Sequence, residues 1–271
     1  MSDTVFFTTP IMDTAMSKIY KILSGVVLFI IFLAALISCA KKPIIIGNEN
    51  PEKEIKQCIK YMEKKHFEEA IECLEIFKSH FPKSQWGIEA ELMIGDNYFR
   101  KKDYLLAADS YQAFIKLNPT HPKVDYAYYK TGLSYLNFSP KAIDRDQEYL
   151  DDAIANFQIV AINFSESPYT NINRVNLVEA KRRIAKRHFY IGKFYYKTGE
   201  YIAAIPRFKE VYENFKETGL AEEALNLAIL SNIKLNKLED AKVAFGILST
   251  EYPKSKFLAK AEGALIRAVK K

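Results

Sequence analysis

Small and large apolar residues recur along the chain at a spacing that predicts paired α-helices. Five alanines each come three residues after a Phe, Tyr or Leu and four residues before another large apolar residue. Small residues such as Cys58, Gly95 and Gly192 stand twelve residues before an alanine, and a tyrosine follows each of them three positions later. These intervals place the apolar positions on one face of each helix, where small residues let two helices approach closely. The alanines are Ala70, Ala107, Ala153, Ala204 and Ala241.

The intervals between the five alanines show a repeat that is interrupted twice. Successive alanines are 37, 46, 51 and 37 residues apart. Nine additional residues separate Gly132 from Ala153, and fourteen more are inserted around residues 165–180. A period of this length predicts a stack of helical hairpins, each of which needs neighbours to bury its apolar face. The pattern is similar to the tetratricopeptide repeat, whose usual period is about 34 residues.

We therefore predict an all-α fold, a right-handed α-solenoid of about five tetratricopeptide-like hairpins. Residues 51–164 are expected to form repeats 1–3 and residues 181–271 repeats 4–5, with an insertion or linker at residues 165–180 inside one continuous solenoid. Prolines twelve residues after three of the alanines should end the second helix of a hairpin, because proline lacks the N–H donor. These are Pro82, Pro119 and Pro253. A further proline, Pro206, falls inside the second helix of repeat 4 and should bend it.

The first 38 residues have the pattern of a secretory signal peptide. An uncharged run over residues 22–38 follows Lys18 and Lys21 and ends directly before Cys39. The sequence Leu-Ile-Ser-Cys resembles a bacterial lipobox, so we predict that Cys39 is lipidated and begins a tether over residues 39–50. The alternative is an uncleaved anchor, because about 17 apolar residues are just enough for a short transmembrane helix. We expect translation to begin at Met16, since acidic residues precede the basic part of the signal.

The distribution of reactive side chains argues against an enzyme. The four histidines are scattered along the repeats without a second ligand at helical spacing, and motifs for metal, phosphate or nucleophilic chemistry are not found, so we predict no catalytic residue, metal or cofactor. A net charge of +6 suits an acidic partner or a membrane surface and is too small to favour nucleic acid. An oxidising compartment would allow a disulfide between Cys58 and Cys73, but both occupy small apolar positions, and we expect two free thiols.

The third repeat carries the most specific motifs of the chain. It reads Asn-Pro-Thr-His-Pro at residues 118–122, Asp-Tyr-Ala at residues 125–127 and Asp-Arg-Asp at residues 144–146. Together with the lipobox, the short tether, the five repeats and the enlarged middle, these motifs resemble the BamD family, the lipoproteins of the outer-membrane β-barrel assembly machinery. The similarity covers residues 39–271. The motif residues are Pro119, His121, Pro122, Asp125, Asp144, Arg145 and Asp146.

Elementary chemistry suggests structural roles for these motif residues. The two prolines fix the backbone of a tight connection, and His121 can hydrogen-bond the exposed end of a flanking helix. The charges of residues 144–146 can clip the insertion to the neighbouring repeat through an ion pair.

The resemblance implies a groove for unfolded polypeptides on the concave face of the first two or three repeats. Its clients would be unfolded outer-membrane β-barrel proteins, typically recognised by an aromatic-rich signal at their C-terminus. The candidate lining residues are Tyr61, Tyr98, Phe99 and Tyr104.

A second predicted contact surface lies around the helix that opens repeat 4. Arg183 and Arg187 belong to a basic cluster that is either a solvated helix face or a docking surface for an acidic partner. The resemblance implies that Arg207, on the next helix, lies near contacts with the periplasmic domains of a BamA-like barrel protein.

The resemblance implies a non-enzymatic lipoprotein at the periplasmic face of the outer membrane. It would be held in the membrane by the lipid on Cys39, work with other lipoproteins of the assembly complex, and bind no nucleic acid. Two alternatives stay open at the level of sequence. One is a tetratricopeptide adaptor that coordinates peptidoglycan synthesis or cell division; the other is a scaffold anchored in the inner membrane with Cys39 unmodified.

Overall fold

The computed structural model describes residues 23–25, 44–47 and 49–270 of the chain. The chain divides into two compact units, Met1–Ile45 and Ile46–Lys271. Residues 23–25 of the first unit are helical, and the rest of the predicted signal run and the predicted lipidation site Cys39 lie outside the described residues. Within the described ranges, no helix combines the length and the apolar character needed to cross a membrane.

The second unit is a series of α-helices, and residues 49–270 contain no strand. The helices are α1 (Pro51–Glu63), α2 (Phe67–His80), α3 (Gln85–Lys101), α4 (Tyr104–Leu117), α5 (Val124–Phe138), α6 (Tyr149–Asn163), α7 (Thr170–Thr198), α8 (Tyr201–Asn214), α9 (Ala221–Lys234), α10 (Leu238–Glu251) and α11 (Leu258–Val269). Each helix packs on the next, and α11 packs on both α9 and α10. This arrangement confirms the predicted all-α solenoid of tetratricopeptide-like hairpins. After the five hairpins, α11 packs as one additional helix at the end of the stack.

Local sequence signals set the ends of the helices. Asn50 caps α1, because its side-chain Oδ1 accepts hydrogen bonds from the backbone N–H groups of Glu52 and Lys53 at 2.9 and 3.2 Å. Helices α2, α4 and α10 all end one or two residues before a proline, as predicted. Helix α8, in contrast, continues through Pro206.

Each hairpin is held together by contacts between small residues and aromatic rings. All five repeat alanines are fully buried, which confirms their place between the helices. In repeats 2, 3 and 4, the glycine of the first helix faces the aromatic ring of the second helix. A Cβ atom on these glycines would come within 2.7 or 2.8 Å of a ring carbon, so only glycine fits without displacing the ring. The pairs are Gly95 with Tyr111, Gly132 with Phe157, and Gly192 with Phe208.

The two insertions have different structures. The first is the connection between α5 and α6, residues 139–148, and it lies between the two helices of repeat 3 as predicted. The second, predicted as an insertion or linker at residues 165–180, is mostly helical. Only residues 165–169 form a connection, and the remainder lengthens α7 to 29 residues. Asn173 ties this added part to repeat 3, since its side-chain amide donates to the Phe157 carbonyl at 2.8 Å.

The expectation of two free thiols in repeat 1 is wrong. Cys58 of α1 and Cys73 of α2 form a disulfide, with their Cα atoms 5.3 Å apart. Both residues occupy the small positions at which the two helices face each other. The close approach that favours small residues therefore also brings the two sulfur atoms within bonding distance.

Candidate functional site

A cavity of about 630 Å³ opens between the first three repeats and the start of α7. We call it the groove. Side chains of α1, α3 and α5 form its walls, and the connection that precedes α7 closes one side. Most of its surface is apolar, which suits the side chains of an unfolded polypeptide. The main apolar lining residues are Ile59, Met62, Leu92, Met93, Tyr126 and Tyr169.

A partly buried carboxylate fixes the aromatic wall of the groove. Asp96 of α3 accepts hydrogen bonds from the hydroxyl groups of Tyr111 and Tyr126, at 2.6 and 2.5 Å. Burial and the Asp96 charge both raise the pKa values of these two tyrosines, which therefore stay protonated as donors. The Nζ atom of Lys130 lies 3.7 Å from Asp96 and 3.7 Å from the centre of the Phe99 ring. Burial lowers the pKa of Lys130, and Asp96 opposes that shift.

The aromatic wall continues across the repeat boundary. The rings of Tyr126 and Tyr169 have centroids 5.3 Å apart, and Tyr169 in turn stacks on Tyr129 at 5.3 Å. The three rings join α5 to the connection before α7. The Asp96 hydrogen bond positions Tyr126, and ring stacking on Tyr129 positions Tyr169, so contacts within the protein hold both rings in the wall.

Four of the six charged side chains that line the groove have polar partners within the protein, whereas Glu63 and Arg100 form no ion pair with the described residues. Glu89 is 4% exposed and binds the Lys123 ammonium at 2.6 Å. Asp125 accepts a hydrogen bond from the Ser167 hydroxyl at 2.6 Å. Since these groups have partners, the groove offers mainly apolar contacts.

The four residues predicted to line the groove lie elsewhere. Tyr61, Tyr98, Phe99 and Tyr104 are all partly buried, and none of them borders the cavity. Phe99 instead packs under Lys130 and edge-on against Tyr104, with ring centroids 5.3 Å apart. The reason is rotation around α3: Tyr98 is two residues after Asp96, about 200° further round the helix. The repeat tyrosines therefore fill space between helices, and the groove positions lie on another face.

The Pro-Thr-His-Pro motif forms the turn between α4 and α5. The His121 Nδ1 atom accepts a hydrogen bond from the Lys123 backbone N–H at 3.1 Å, directly before α5. Its ring packs edge-on against Phe114 with centroids 5.1 Å apart. These contacts are of the structural kind predicted for His121. Pro122 and Asp125 also border the groove, so this turn helps to shape it.

The Asp-Arg-Asp motif contributes one ion pair to the loop between α5 and α6. The Asp146 carboxylate lies 3.2 Å from Arg187 of α7, which is a clip of the predicted kind to the neighbouring repeat. Asp144 and Arg145 are exposed, and their side chains form no hydrogen bond or ion pair with the described residues.

Arg183, predicted as a partner contact, serves mainly to hold this loop. Its guanidinium donates hydrogen bonds to the carbonyl oxygens of Leu136 at 2.9 Å and Ser139 at 2.8 Å, and to that of Pro140. The amide of Gln147 strengthens the same loop by donating to the Pro140 and Ala142 carbonyls. Of the basic cluster on α7, Lys181, Arg187 and Lys193 also form ion pairs within the chain.

A separate cleft of about 310 Å³ contains the other two predicted arginines. Arg187 and Arg207 border it together with His188, and three carboxylates, those of Asp146, Glu148 and Asp151, line it as well. The Arg207 guanidinium lies 3.5 Å from the His188 ring and forms no ion pair with any described residue. Burial lowers the pKa of His188, and the charge of Arg207 lowers it further. Arg207 is therefore the arginine of this cleft that has no carboxylate partner in the described part of the chain.

Several of the site residues were not found from the sequence. Asp96 and Tyr126 belong to different repeats, and no spacing within one repeat connects them. The one signal that the sequence offers for this face of the groove is spacing along α3. Leu92, Asp96 and Arg100 are four residues apart, so they share one face of the helix, away from the repeat tyrosine. In the described part of the chain, no group of three or more His, Cys, Asp or Glu residues is placed to bind a metal ion.

Comparison with solved structures finds other tetratricopeptide proteins. A thermophilic protein of this kind from Thermus thermophilus is 14% identical, with a TM-score of 0.33, over 80% of this chain and all of that chain. The TPR2AB domain of yeast Sti1, solved in complex with an HSP90 peptide, is 14% identical with a TM-score of 0.38, over 81% of this chain and 84% of that chain.

Comparison of the sequence with curated proteins finds closer relatives. The protein named outer membrane protein assembly factor BamD of Neisseria gonorrhoeae is 31% identical over 207 residues, 72% of this chain and 77% of that protein. The protein of the same name from Rickettsia prowazekii is 30% identical over 72% of this chain and 78% of its own length. The one from Vibrio cholerae is 26% identical over 78% of this chain and 89% of its own length.

The match to a family model covers most of the solenoid. Residues 48–242 match the model YfiO, described as an outer membrane lipoprotein. This range contains the groove, the loop between α5 and α6, and the Arg207 cleft. The chain therefore belongs to the YfiO family of outer membrane lipoproteins.

Proposed function

We propose that this protein is a non-enzymatic assembly factor for outer-membrane proteins, which holds unfolded β-barrel clients in its groove. The observation that carries the proposal is the apolar cavity across three repeats, with an aromatic wall fixed by Asp96, in a chain whose curated relatives are named assembly factors. An extended polypeptide can add many weak apolar contacts along such a surface, which suits clients of different sequence.

The cleft at Arg207 is the proposed contact with the barrel-forming subunit of the assembly complex. Arg207 has no carboxylate partner among the described residues, whereas Arg187 in the same cleft is already paired with Asp146. An acidic side chain of the partner's periplasmic domains would complete this site through a charge-assisted hydrogen bond. Other lipoproteins of the complex are further proposed partners, without a site assigned to them.

Anchoring at the periplasmic face of the outer membrane is a further part of the proposal, and the lipobox-like sequence at Cys39 supports the lipid attachment. The acyl chains would hold the protein in the membrane, and the tether over residues 39–50 would leave the solenoid in the periplasm. Metabolic labelling with a fatty-acid analogue tests this part, because the label should be lost in Cys39→Ala. Labelling that persists in the variant would contradict it.

Depletion of the protein in its own bacterium tests the central proposal. We expect β-barrel proteins to disappear from the outer-membrane fraction and to return when the wild-type gene is supplied. Met62→Glu should restore them poorly, since it places a charge in the apolar groove. Leu117→Glu is the matched control, because Leu117 is 72% exposed and lies outside the groove.

Two outcomes would contradict the proposal. Normal levels of barrel proteins after depletion, with a defect in septation, would favour the division or peptidoglycan adaptor, which no present observation supports over assembly. Full restoration by Met62→Glu would show that the groove is not the client site.

A further inference from the structure

A second concave surface lies where the loop between α5 and α6 meets α7. Its volume is about 460 Å³, and we call it the loop pocket. The loop is one of the two interruptions of the repeat and Glu179 belongs to the other, so repeats without these insertions would lack part of the lining of this pocket. It is separate from the groove, and neither lining residues nor charge pairs are shared between the two.

The loop pocket carries an excess of positive charge. Lys141, Arg183 and Lys186 border it, and Glu179 is the one carboxylate among its lining residues. Lys141 and Lys186 are exposed and form no ion pair with any described residue. The net charge of the lining is therefore positive by two, in a concave site where charges act more strongly than on an open surface.

The Arg183 guanidinium is partly buried and has no carboxylate partner in the described part of the chain. Its four hydrogen bonds go to three carbonyl oxygens and to Gln147, all uncharged, through Nη1 and Nη2. The Nε donor has no protein partner among the described residues. Burial lowers the pKa of Arg183, and Glu179 opposes the shift. A partly buried cation without a counter-ion gains from any anion that enters the pocket.

Apolar surface lies beside this charge. Leu136 and Ile143 form part of the wall, next to the three cationic side chains. A ligand that fits must therefore present a carboxylate and an apolar side chain within a few ångströms of each other. A lipid phosphate would satisfy the cations, but it would leave the apolar wall uncovered.

We propose that the loop pocket docks an acidic polypeptide segment of a partner protein, in which an Asp or Glu stands next to a large apolar residue. This contact adds to the proposed function and does not involve the groove, so either proposal can fail without the other.

The test uses the full-length protein in non-ionic detergent and a panel of fluorescent synthetic peptides. The peptides place Glu or Asp next to Leu or Phe, and a matched set replaces each acid by Gln or Asn. Fluorescence anisotropy should show a preference for the acidic set. The double variant Lys141→Glu/Lys186→Glu should bind the acidic peptides about tenfold more weakly or worse, since it turns attraction into repulsion.

A control variant separates the pocket from general charge effects. Lys83→Glu/Lys116→Glu makes the same change in net charge at two exposed lysines far from the pocket in sequence, and it should bind like the wild type. Both double variants should melt at nearly the wild-type temperature, because all four side chains are exposed. Binding to vesicles that contain anionic lipid is measured in parallel.

Three outcomes would overturn the proposal. The first is that no acidic peptide binds, or that the Gln and Asn peptides bind equally well. The second is that the acidic preference survives in Lys141→Glu/Lys186→Glu. The third is that this variant loses vesicle binding while the wild type shows no acidic preference, which would assign the pocket to a membrane surface.

Discussion

At the scale of the residue, the glycines of the first helices show how single atoms set the helix spacing. Gly132 faces the Phe157 ring, and a Cβ atom there would lie 2.7 Å from a ring carbon and 3.2 Å from the Ala153 carbonyl oxygen. Gly246, inside α10, has no neighbouring atom within 4 Å of the same position. Replacing each of these two helical glycines by alanine should therefore change the stability of the protein in opposite directions.

Gly132→Ala is expected to lower the free energy of unfolding by about 1–3 kcal/mol, because the added methyl group displaces the Phe157 ring or the backbone behind it. Gly246→Ala should raise it by about 0.5–1 kcal/mol, since alanine favours the helix and meets no atom. Urea denaturation of the two variants checks both signs. A stabilising Gly132→Ala would mean that α5 and α6 are further apart than the structure shows.

His188 makes the stability depend on pH. Its pKa lies below the ordinary value of about 6.5, because burial and the charge of Arg207 disfavour the protonated ring. As the pH falls through that value, the unfolded chain takes up a proton that the folded chain does not, so the folded state loses stability. Between pH 7.5 and pH 5.5, the urea midpoint should fall more for the wild type than for His188→Gln. Equal slopes would show that other groups dominate this range.

At the scale of the element, the disulfide staples α1 to α2 at the start of the solenoid. Among the described helices, α1 packs on α2 and α3, and it supplies Ile59 and Met62 to the groove. The bond joins residues that are 15 positions apart in the chain. It therefore restrains an end helix that would otherwise fray, and it keeps one wall of the groove in place.

Cys58→Ala/Cys73→Ala should lower the free energy of unfolding by about 3 kcal/mol, because the cross-link no longer restricts the unfolded chain. Reducing agent should have a similar effect on the wild type and none on the variant. Thiol titration of the oxidised, denatured protein gives the independent check. Two reactive thiols in addition to any at Cys39 would show that the bond does not form.

The elements themselves could be predicted from the sequence, because repeated spacing reports helix faces directly. The alanines, the glycines and the prolines after α2, α4 and α10 all lie where their intervals place them. The helical insertion could not be predicted, since residues 165–180 have no counterpart in the other repeats. The residues that form the aromatic wall of the groove could not be predicted either, because Asp96, Tyr126 and Tyr169 come together only when repeat 2, repeat 3 and the connection before α7 are packed. The disulfide could not be predicted because it requires the Cα atoms of Cys58 and Cys73 to lie close together, and the spacing in the sequence does not give their distance of 5.3 Å.

At the scale of the whole molecule, the solenoid in residues 46–271 has a buried core that runs from repeat to repeat. One cluster of buried side chains extends from Ala108 to Ala261, and a second fills repeat 2 around Tyr111 and Phe114. In such an array each repeat is stabilised by its direct neighbours, and a local loss spreads to them first. The hydrogen bonds of Arg183 connect repeat 3 to repeat 4 in the middle of this series.

Arg183→Ala should therefore weaken the middle of the solenoid and spare its start. It leaves the carbonyls of Leu136 and Ser139 without the side-chain donor, which costs about 1–3 kcal/mol for each group that water does not reach, while the Pro140 carbonyl keeps the Gln147 amide. Hydrogen exchange followed by mass spectrometry should show faster exchange in residues 136–148 and in α7, with unchanged protection in α1 and α2. Uniformly faster exchange would indicate that the chain unfolds as one cooperative unit.

The hydrogen bonds from Arg183 of α7 to the loop between α5 and α6 have a consequence for recombination among relatives. Residues 139–148 depend on a guanidinium that is encoded about 40 positions later, at Arg183. A crossover between these two points joins the loop to an α7 from the second parent, and the hydrogen bonds persist only if that helix also carries an arginine at this position. Chimeras with a breakpoint between α5 and α7 should therefore be defective when the second parent lacks this arginine, and viable when the breakpoint lies before α5 or after α7.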